Sequence, residues 1–343
     1  MSASGNNLVL LTGSTGLLGG HMLVHLIKSG KKVRCLIRPT SSRSQLKLIC
    51  TYYNLPFDEL EHSVEWVNGN TLDYIGLHDL MEGVTEVYHC AAMVSFNNKD
   101  RFEMLQTNIQ GTSNMVDAAL KAGVEKFCFI SSIAALGSTP DHSLVQEDTP
   151  RKNDDRNSAY SDSKFRSELE VWRGMNDGLN AVIVNPGVIL GPGDPDKGSL
   201  LLFQTGRKGI PFYTKSTTGY VDVRDVCRAS LELMEKGLFK KRFILVSENE
   251  HNGTVFGLVA KEFGKQPPRI LAGKALLKAG VLFSTISGLI TGKTSQLTND
   301  TIRSAQNPQV YSNERVCKAL DYKFIPLSET ILEIATFLKK NNL

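Results

Sequence analysis

A glycine-rich loop joins the first apolar run of the chain to the first helical pattern. Leu8–Leu11 is an apolar run typical of a strand, Thr12-Gly13-Ser14-Thr15-Gly16-Leu17-Leu18-Gly19 follows it directly, and a helical pattern begins around His21–Ile27. In such a unit the first glycine allows a tight turn, the second lets backbone N–H groups approach a pyrophosphate, and the third lets the helix pack closely on the strand. The sequence therefore predicts a dinucleotide-binding loop, with a purely structural turn as the alternative.

Short apolar runs alternate with helical patterns through the first half of the chain. The runs are rich in β-branched residues and are short enough to be strands. Strand, helix and strand in this order predict an α/β fold with a doubly wound parallel sheet, of the Rossmann type, covered by helices on both faces. The predicted strands are Leu8–Thr12, Lys32–Ile37, Val64–Val67, Glu86–Cys90, Lys126–Ser131 and Ala181–Val184, and the predicted helices are about Leu17–Lys28, Ser44–Tyr52, Gly76–Met81, Phe102–Lys121 and Ala159–Trp172.

The pattern changes after Asn185. Glycine and proline are frequent in Pro186–Pro195, and later segments are shorter and mostly helical, with strand-like runs at Val221 and Phe243–Val246. We therefore expect a dinucleotide-binding domain over residues 1–185 and a smaller, mainly substrate-binding lobe over residues 186–343. The two are expected to interleave, with later strands returning to the first domain from about residues 215–248.

One stretch of the second lobe, Ala275–Thr291, is strongly apolar but is interrupted by Lys278, glycines and serines. It is too short and too broken to span a bilayer, so no integral membrane segment is predicted. A helix that lines or covers an apolar pocket is expected, and peripheral contact with a membrane is the alternative.

Composition limits the partners and the compartment. The 39 basic and 35 acidic residues give a net charge of only +4, and no basic run is long enough for a nucleic-acid-binding arm. No basic segment followed by a long apolar stretch opens the chain, so we expect no signal peptide. The cysteines are widely spaced without a C-x-x-C pair, which predicts buried free thiols in a reducing, cytoplasmic compartment. They are Cys35, Cys50, Cys90, Cys128, Cys227 and Cys317.

The residue after the second predicted strand bears on the choice of cofactor. In dinucleotide-binding folds an acidic residue about 20 positions beyond the glycine loop binds the ribose hydroxyls of NAD. Here Arg38 occupies that position, and Ser41, Ser42 and Arg43 follow. A guanidinium suits a 2′-phosphate, so we expect NADP(H) in preference to NAD(H). A solvated arginine at a strand end is the structural alternative.

Tyr160 and Lys164 form a second candidate site. They lie at the start of a predicted helix, and their spacing of four puts the phenol and the ammonium on one face, one turn apart. Such a cation favours the phenolate and lowers the pKa of tyrosine from about 10 toward a working pH. The preceding predicted strand ends in Ser131-Ser132, whose hydroxyls should lie at the carboxyl edge of the sheet, where doubly wound folds bind ligands.

With these motifs the chain resembles the extended short-chain dehydrogenases/reductases of the NAD-dependent epimerase/dehydratase family over nearly its whole length. Within that family its character is similar to the dihydroflavonol-reductase-like and 3β-hydroxysteroid-dehydrogenase-like members. The segments that match in order are the T-G-x-x-G-x-x-G loop, His89-Cys90-Ala91-Ala92, Asn108-Ile109-Gln110-Gly111-Thr112, Ser131-Ser132 before Gly137, the Tyr160/Lys164 pair, Asn185-Pro186-Gly187-Val188 through Gly191-Pro192-Gly193-Asp194, and Tyr220–Val226.

That resemblance implies a role for individual residues. Tyr160 would be the general acid/base, Lys164 would tune it and hold the nicotinamide ribose, and Ser132 would hydrogen-bond the substrate oxygen. Relatives usually carry Asp where this chain has Asn70, whose side-chain oxygen could still bind the adenine amino group. The implied cofactor contacts are Gly13, Thr15, Gly16, Leu17, Leu18, Gly19, Arg38, Asn70, Thr71, Ala91, Ala92, Asn108, Tyr160, Lys164, Pro186, Gly187 and Val188.

Two departures argue against an enzyme that acts on nucleotide sugars. Such members usually carry Arg two residues before the aromatic residue of the Tyr220 segment, whereas this chain has Thr218 there. They also usually carry Asn at the position where this chain has Val188. Apolar residues near the expected pocket favour a hydrophobic carbonyl or alcohol. The candidate substrate contacts are Val94, Ser95, Phe96 and Tyr213.

The sequence therefore predicts an NADP(H)-dependent oxidoreductase that interconverts a carbonyl and an alcohol on a small, apolar substrate by hydride transfer. A nucleotide-sugar epimerase or dehydratase is one alternative, and a non-catalytic regulator that binds the cofactor is another. By analogy with relatives, the Phe102–Lys121 and Ala159–Trp172 helices would form a homodimer interface.

Two further patterns are given structural interpretations. Gly288–Thr294 is one residue short of a phosphate-binding loop and follows an apolar helical pattern instead of a strand, which indicates a helix terminus and loop. The histidines lack metal-ligand spacing, so no metal is expected, and His21 and His25 are expected to pack beside the glycine loop.

Overall fold

The computed structural model describes residues 7–95, 97–139, 143–151, 158–214, 216–273 and 308–343, and of Asn98 only the backbone. The strands in these ranges are β1 (Leu8–Thr12), β2 (Lys32–Ile37), β3 (Val64–Asn68), β4 (Val84–His89), β5 (Lys126–Ile130), β6 (Leu144–Val145), β7 (Ala181–Pro186), β8 (Val188–Leu190), β9 (Phe212–Tyr213), β10 (Thr217–Asp222), β11 (Lys241–Leu245), β12 (Glu248–His251), β13 (Ile270–Leu271) and β14 (Val310–Tyr311). The helices are α1 (Leu17–Lys28), α2 (Ser44–Tyr52), α3 (Phe57–Ser63), α4 (Tyr74–Leu80), α5 (Arg101–Leu105), α6 (Gly111–Ala122), α7 (Ala159–Asn176), α8 (Leu201–Lys208), α9 (Val223–Glu235), α10 (Asn252–Glu262), α11 (Glu314–Leu320) and α12 (Leu327–Lys340).

A seven-stranded parallel sheet organises the fold. Its strand order is β3-β2-β1-β4-β5-β7-β11, and every neighbouring pair is parallel. The chain moves outward in one direction from β1 to β3, then returns to the other side of β1 at β4. The carboxyl ends of β1 and β4 therefore flank the switch point, where open α/β sheets bind ligands. The predicted fold class is confirmed.

Both faces of the sheet are buried, which explains why its strands are apolar runs without alternation. In β1, Val9 and Leu11 point into one apolar cluster, with side chains of α1, α2, α9 and α11. Leu8 and Leu10 point into a second cluster on the opposite face, with side chains of α4, α6 and α7. Every residue of β1 is buried.

The helical patterns differ from the structure in two places. The predicted Phe102–Lys121 helix is interrupted by a π-helical turn at Gln106–Gln110, so that α5 and α6 are separate elements. The short helix α3 has no counterpart among the predicted elements. Other boundaries differ by up to about four residues, because helix and strand ends depend on tertiary contacts.

The second half of the chain contributes to two layers. Strand β11 returns to the edge of the central sheet, whereas β12, β10 and β8 form a separate three-stranded sheet. Helices α8, α10 and α12 enclose a third apolar cluster beside that sheet. Two further two-stranded ribbons pair β9 with β13 and β6 with β14.

The predictions for Ala275–Thr291, for Gly288–Thr294 and for Phe96 lie outside the described residues. Among the helices that are described, none combines the length and apolar composition needed to cross a membrane.

Candidate active site

The glycine loop lies between β1 and α1, against the end of β4. Gly13 has a φ of +76°, and a Cβ on it would lie 2.8 Å from the backbone nitrogen of Ala91. A Cβ on Gly19 would overlap the carbonyl oxygen of Gly13. The turn and the close approach predicted for the first and third glycines are both present.

The N-terminus of α1 is open to an anion. The residue before its first turn is Gly16, no side chain caps the helix, and its first turn contains no acidic residue. Free N–H groups and the positive end of the helix dipole therefore face the space beside the loop. This arrangement is suited to a phosphate or pyrophosphate group.

A hydrogen-bonded network joins the ends of β1 and β4 beside this loop. Thr12 Oγ1 lies 2.8 Å from His89 Nδ1 and accepts the Ala91 N–H at 3.0 Å. His89 Nε2 lies 3.1 Å from Thr112 Oγ1, which donates to the Asn108 carbonyl at 2.7 Å. The donors and acceptors balance only if neutral His89 carries its proton on Nε2. Burial, with the Lys164 charge as a smaller cause, lowers the pKa of His89 to about 3, consistent with that neutral form.

Asn108 connects the segment after β4 to helix α7. Its side chain accepts the Met93 N–H at 2.7 Å and donates to the Met93 carbonyl at 2.9 Å and to Ser163 Oγ at 2.9 Å. Its carbonyl accepts hydrogen bonds from Thr112 and from Ser167 at 2.8 Å. Asn108 lies in the π-helical turn, a feature often found at functional sites.

The side chains after β2 differ in their surroundings. Arg38 is exposed, and its carbonyl accepts the Ser41 N–H at 2.9 Å. Arg43 instead pairs with Glu61, and its guanidinium stacks 4.2 Å from the centre of the Trp66 ring. Arg38 is therefore better placed than Arg43 to meet an anionic ligand.

The loop after β3 contains the next two predicted cofactor contacts. Asn70 is exposed, and its side-chain oxygen accepts the Leu72 N–H at 3.1 Å. Thr71 is buried, and its carbonyl accepts a 2.9 Å hydrogen bond from Asn114 of α6. The Asn70 oxygen thus already makes a local turn contact, although a carbonyl oxygen can accept a second hydrogen bond.

Tyr160 and Ser132 are brought together across the sequence. The side chain of Ser132 is hydrogen-bonded to the Tyr160 hydroxyl, and Ser132 Oγ also accepts the Ala134 N–H at 3.1 Å. Burial raises the pKa of Tyr160 above its ordinary value, and the Ser132 hydrogen bond opposes that rise. The lowered pKa expected from the Lys164 cation is therefore wrong for this structure, because desolvation of the phenol outweighs it. Both groups lie where β5 meets the first turn of α7.

Lys164 is buried on the same helix, one turn after Tyr160. Its ammonium donates to the Ile130 carbonyl at 2.8 Å and lies 5.1 Å from the centre of the Phe129 ring. Burial lowers the pKa of Lys164 to about 8, against opposing contributions from Cys90 and Glu168.

Arg151 is a structural contributor that the sequence analysis missed. Its guanidinium donates to the Ala134 carbonyl at 3.1 Å, to Ser161 Oγ at 2.9 Å and to Asp162 at 2.7 Å. These contacts fix the turn after Ser132 onto the start of α7. No motif identifies Arg151, because its partners lie 10 to 17 residues away along the chain.

The last predicted cofactor segment joins the two sheets. Pro186 ends β7, Val188 begins β8, and the Gly187 N–H donates to the Leu245 carbonyl at 3.0 Å. A Cβ on Gly187 would overlap the backbone of Gly219 in β10.

The described substrate candidates lie in different places. Val94 is exposed, and Ser95 donates a 2.7 Å hydrogen bond to Asp100 within its own loop. Tyr213 lies in the β9–β13 ribbon with its ring against Gly253, where a Cβ would lie 2.7 Å from the ring. Their contribution to a substrate pocket stays a prediction.

The structure also bears on the cysteines and histidines. All six cysteines are free, four of them buried and two half-buried. His21 is buried beside α2 and lies 2.8 Å from both the Tyr53 hydroxyl and the Pro192 carbonyl. Within the described ranges, no three His, Cys, Asp or Glu side chains are grouped closely enough to hold a metal ion.

The chain is similar to known proteins over most of its length. A model described as the NAD dependent epimerase/dehydratase family matches residues 9–244. The chain is 32% identical over 263 residues to a putative dihydroflavonol 4-reductase of Synechocystis, covering 73% of each protein. It is 32% identical over 284 residues to sterol demethylase protein B of Methylococcus capsulatus, covering 78% of this chain and 80% of that protein. Cinnamoyl-CoA reductase 1 of Petunia hybrida is 25% identical over 99% of this chain and 94% of its own length.

Solved structures share the fold over nearly the whole chain. The protein named gox2253 superposes with a TM-score of 0.80 at 28% identity, covering 98% of each chain. A UDP-glucose 4-epimerase of Thermotoga maritima superposes with a TM-score of 0.76 at 18% identity, covering 98% of this chain and all of the other.

Proposed function

The chain belongs to the NAD-dependent epimerase/dehydratase family, and we propose that within it the chain is an NADP(H)-dependent oxidoreductase that interconverts a carbonyl and an alcohol. The family and its reductase relatives make the chain an NAD(P)-dependent enzyme of the extended short-chain dehydrogenase/reductase type. The observation that carries the proposal is the hydrogen-bonded Tyr160–Ser132 pair, with the Lys164 ammonium one helical turn away.

The residues present fit a nicotinamide dinucleotide. Gly13 and Gly19 leave no room for a side chain at their positions in the glycine loop, and the uncapped start of α1 provides backbone donors for a pyrophosphate. Arg38 is exposed at the end of β2, where a 2′-phosphate would distinguish NADP(H) from NAD(H). When bound, the cofactor supplies or accepts the hydride.

The chain's own residues manage the proton and the developing charge. In reduction, the carbonyl oxygen of the substrate gains negative charge, and the Tyr160 hydroxyl donates the proton that neutralises it. Ser132 provides a second hydrogen bond to the same oxygen, and Lys164 stabilises the phenolate that Tyr160 becomes. In the reverse direction, that phenolate takes the proton from the alcohol.

The proposed substrate is small and apolar. The relatives named dihydroflavonol 4-reductase, sterol demethylase protein B and cinnamoyl-CoA reductase support an oxidoreductase with a hydrophobic substrate. Thr218 and Val188 replace residues that sugar-nucleotide members usually carry, which favours net reduction over epimerisation.

Two further parts of the proposal concern the setting of the enzyme. A cytoplasmic location is supported by the free state of all six cysteines. A homodimer is proposed on family resemblance, and light scattering on the purified protein would test it.

The test is an absorbance assay of NADPH oxidation with a panel of carbonyl compounds. The panel holds aromatic and aliphatic aldehydes, cyclic ketones including a sterol ketone, a dihydroflavonol and a cinnamoyl thioester, with UDP-glucose as the sugar-nucleotide control. We expect stoichiometric NADPH oxidation with at least one apolar carbonyl. Conversion of UDP-glucose without net change in cofactor absorbance would contradict the proposal and favour an epimerase.

A further inference from the structure

Glu168 is a buried carboxylate that the proposed reaction does not use. It lies on α7 one turn after Lys164, as Lys164 lies one turn after Tyr160, and its exposed fraction is 1%. One of its oxygens accepts hydrogen bonds of 2.5 Å from Ser131 Oγ and from the side-chain amide of Asn185. The same amide donates to the Ser132 carbonyl at 2.9 Å. Glu168 therefore holds both strand ends that surround Ser132.

The other oxygen of Glu168 is paired with a cation. Arg242 of β11 donates to it at 2.9 Å and donates its Nε hydrogen to the Glu147 carbonyl at 2.8 Å. Glu147 in turn accepts the Ile244 N–H at 3.1 Å, and its carboxylate lies 3.5 Å from Arg315 of α11. This chain of contacts extends from the centre of the sheet to its edge.

Stability alone does not account for such a pair. Two charges taken out of water contribute little net stability compared with apolar side chains of similar size, because desolvation offsets their attraction. Buried polar networks fix geometry instead, since each unmet hydrogen bond is costly. The geometry fixed here is that of the Tyr160–Ser132–Lys164 site.

The titratable groups around Lys164 differ in their charge near neutral pH. Burial raises the pKa of Cys90, at the end of β4, well above its ordinary value, so its thiol is uncharged near neutral pH. His89, on the same strand, has its pKa lowered to about 3 and is neutral as well. Tyr160, on the same helix, has a raised pKa and is a neutral phenol. Among the residues that the structure describes around Lys164, the Glu168 carboxylate is thus the anion that acts on it, while Arg242 faces the far oxygen of Glu168.

We propose that Glu168, anchored by Arg242 and Asn185, is a positioning residue for the reaction. Its carboxylate keeps a negative charge one turn beyond the Lys164 ammonium and ties the ends of β5 and β7 so that Ser132 stays in hydrogen-bonding distance of Tyr160. The identity of the reaction that this geometry serves rests on the proposed function, whereas the positioning of Lys164 and Ser132 by Glu168 does not.

The first test measures Lys164 directly and needs no substrate. The side-chain resonance of Lys164 in the full-length protein, assigned by its loss in Lys164→Met, is titrated by NMR in the wild type and in Glu168→Gln. Removing a nearby negative charge disfavours the ammonium, so the midpoint should fall by roughly 1–2 pH units, the scale for a charge about 6–12 Å away at an effective dielectric constant of about 20.

Glu170→Gln is the matched control. Glu170 lies on the same helix and is also paired, with Arg173 at 3.0 Å and Ser113 at 3.0 Å, but on another face. Its substitution should leave the Lys164 midpoint unchanged. An unchanged midpoint in Glu168→Gln, or an equal fall in both variants, would overturn the proposal whether or not the chain reduces any carbonyl compound.

A second variant covers the case in which Glu168→Gln does not fold because Arg242 is left unpaired. Glu168→Gln/Arg242→Met removes both charges, and the Lys164 midpoint should still fall, by less. In each folded variant, the basic limb of the pH profile of NADPH oxidation should move to lower pH, as the Lys164 midpoint does. A turnover that drops equally at every pH, with no shift of limb or midpoint, would show a merely structural role and contradict the proposal.

Discussion

The Lys164 ammonium donates a 2.8 Å hydrogen bond to the carbonyl oxygen of Ile130, the last residue of β5. This contact ties α7 to the strand that leads, two residues later, to Ser132. The ammonium is thereby fixed relative to the Tyr160–Ser132 pair and is kept from water. Because burial disfavours its charge, the protonation of Lys164 should limit activity within an accessible pH range.

Carbonyl reduction should fall as the pH rises through about 8. The reaction needs the Tyr160 hydroxyl and the Lys164 ammonium together, and burial lowers the pKa of Lys164 to about 8 while it raises that of Tyr160. The charged lysine is therefore present below that pH and lost above it. The check is the pH profile of kcat for NADPH oxidation, with Lys164→Arg as the variant that keeps its charge. A basic limb at the same pH in both proteins would contradict this assignment.

Arg38→Ala should weaken binding of NADP(H) by about 1.5–3 kcal/mol, the scale for hydrogen bonds to charged groups. Binding of NAD(H) should change little, because it lacks the 2′-phosphate. Dissociation constants from fluorescence titration of both cofactors would measure the effect. Arg43→Ala is the control, since the Arg43 guanidinium already pairs with Glu61 and stacks on Trp66. Equal losses for both cofactors in Arg38→Ala, or a wild-type preference for NAD(H), would show that Arg38 does not select the cofactor.

Gly19→Ala should destabilise the protein by about 1–3 kcal/mol or more and impair cofactor binding, because its methyl group would overlap the Gly13 carbonyl. Gly257→Ala in α10 is the matched control, since its added carbon would lie 3.4 Å from Pro267. Alanine favours a helix over glycine, so the control should keep or raise stability. Denaturant unfolding and cofactor titration would compare the two variants. Normal cofactor affinity in Gly19→Ala would contradict the close packing of the loop.

The protein should lose stability as the pH falls below about 6.5. Burial lowers the pKa of His21 to about 4 and that of His89 to about 3, so the unfolded chain binds more protons than the folded one in that range. Each buried histidine should contribute about 1.4 kcal/mol per pH unit. The free energy of unfolding should therefore fall by about 2–3 kcal/mol between about pH 6 and pH 5. A flat profile there would show that these histidines are not buried as neutral groups.

Local patterns in the sequence predicted the parts of the site that depend on local geometry. The glycine loop and the Tyr160/Lys164 pair each lie within one turn or one helix, so their spacing along the chain fixes their spacing in the fold. The positions of the strands along the chain followed from apolar runs, because both faces of the sheet are covered. The strand before Ser132 was predicted for the same reason.

The rest of the site depends on contacts between distant parts of the chain. Glu168 meets Arg242 across 74 residues, and His89 meets Thr12 across 77. No spacing rule identifies such pairs, since they form only when β11 and β4 take their places in the sheet. The π-helical turn around Asn108 likewise depends on packing against α7, because its residues have no local signal that interrupts a helix.

Tyr160→Phe tests the role of Tyr160 as the proton donor. The substitution keeps the ring and its packing but removes the hydroxyl that Ser132 contacts. On a carbonyl compound that the wild type reduces, kcat should fall roughly 10²–10⁴-fold or more, with the dissociation constant for NADPH nearly unchanged. Unchanged turnover in Tyr160→Phe would show that Tyr160 is not the proton donor and would limit the likeness to its relatives to the fold.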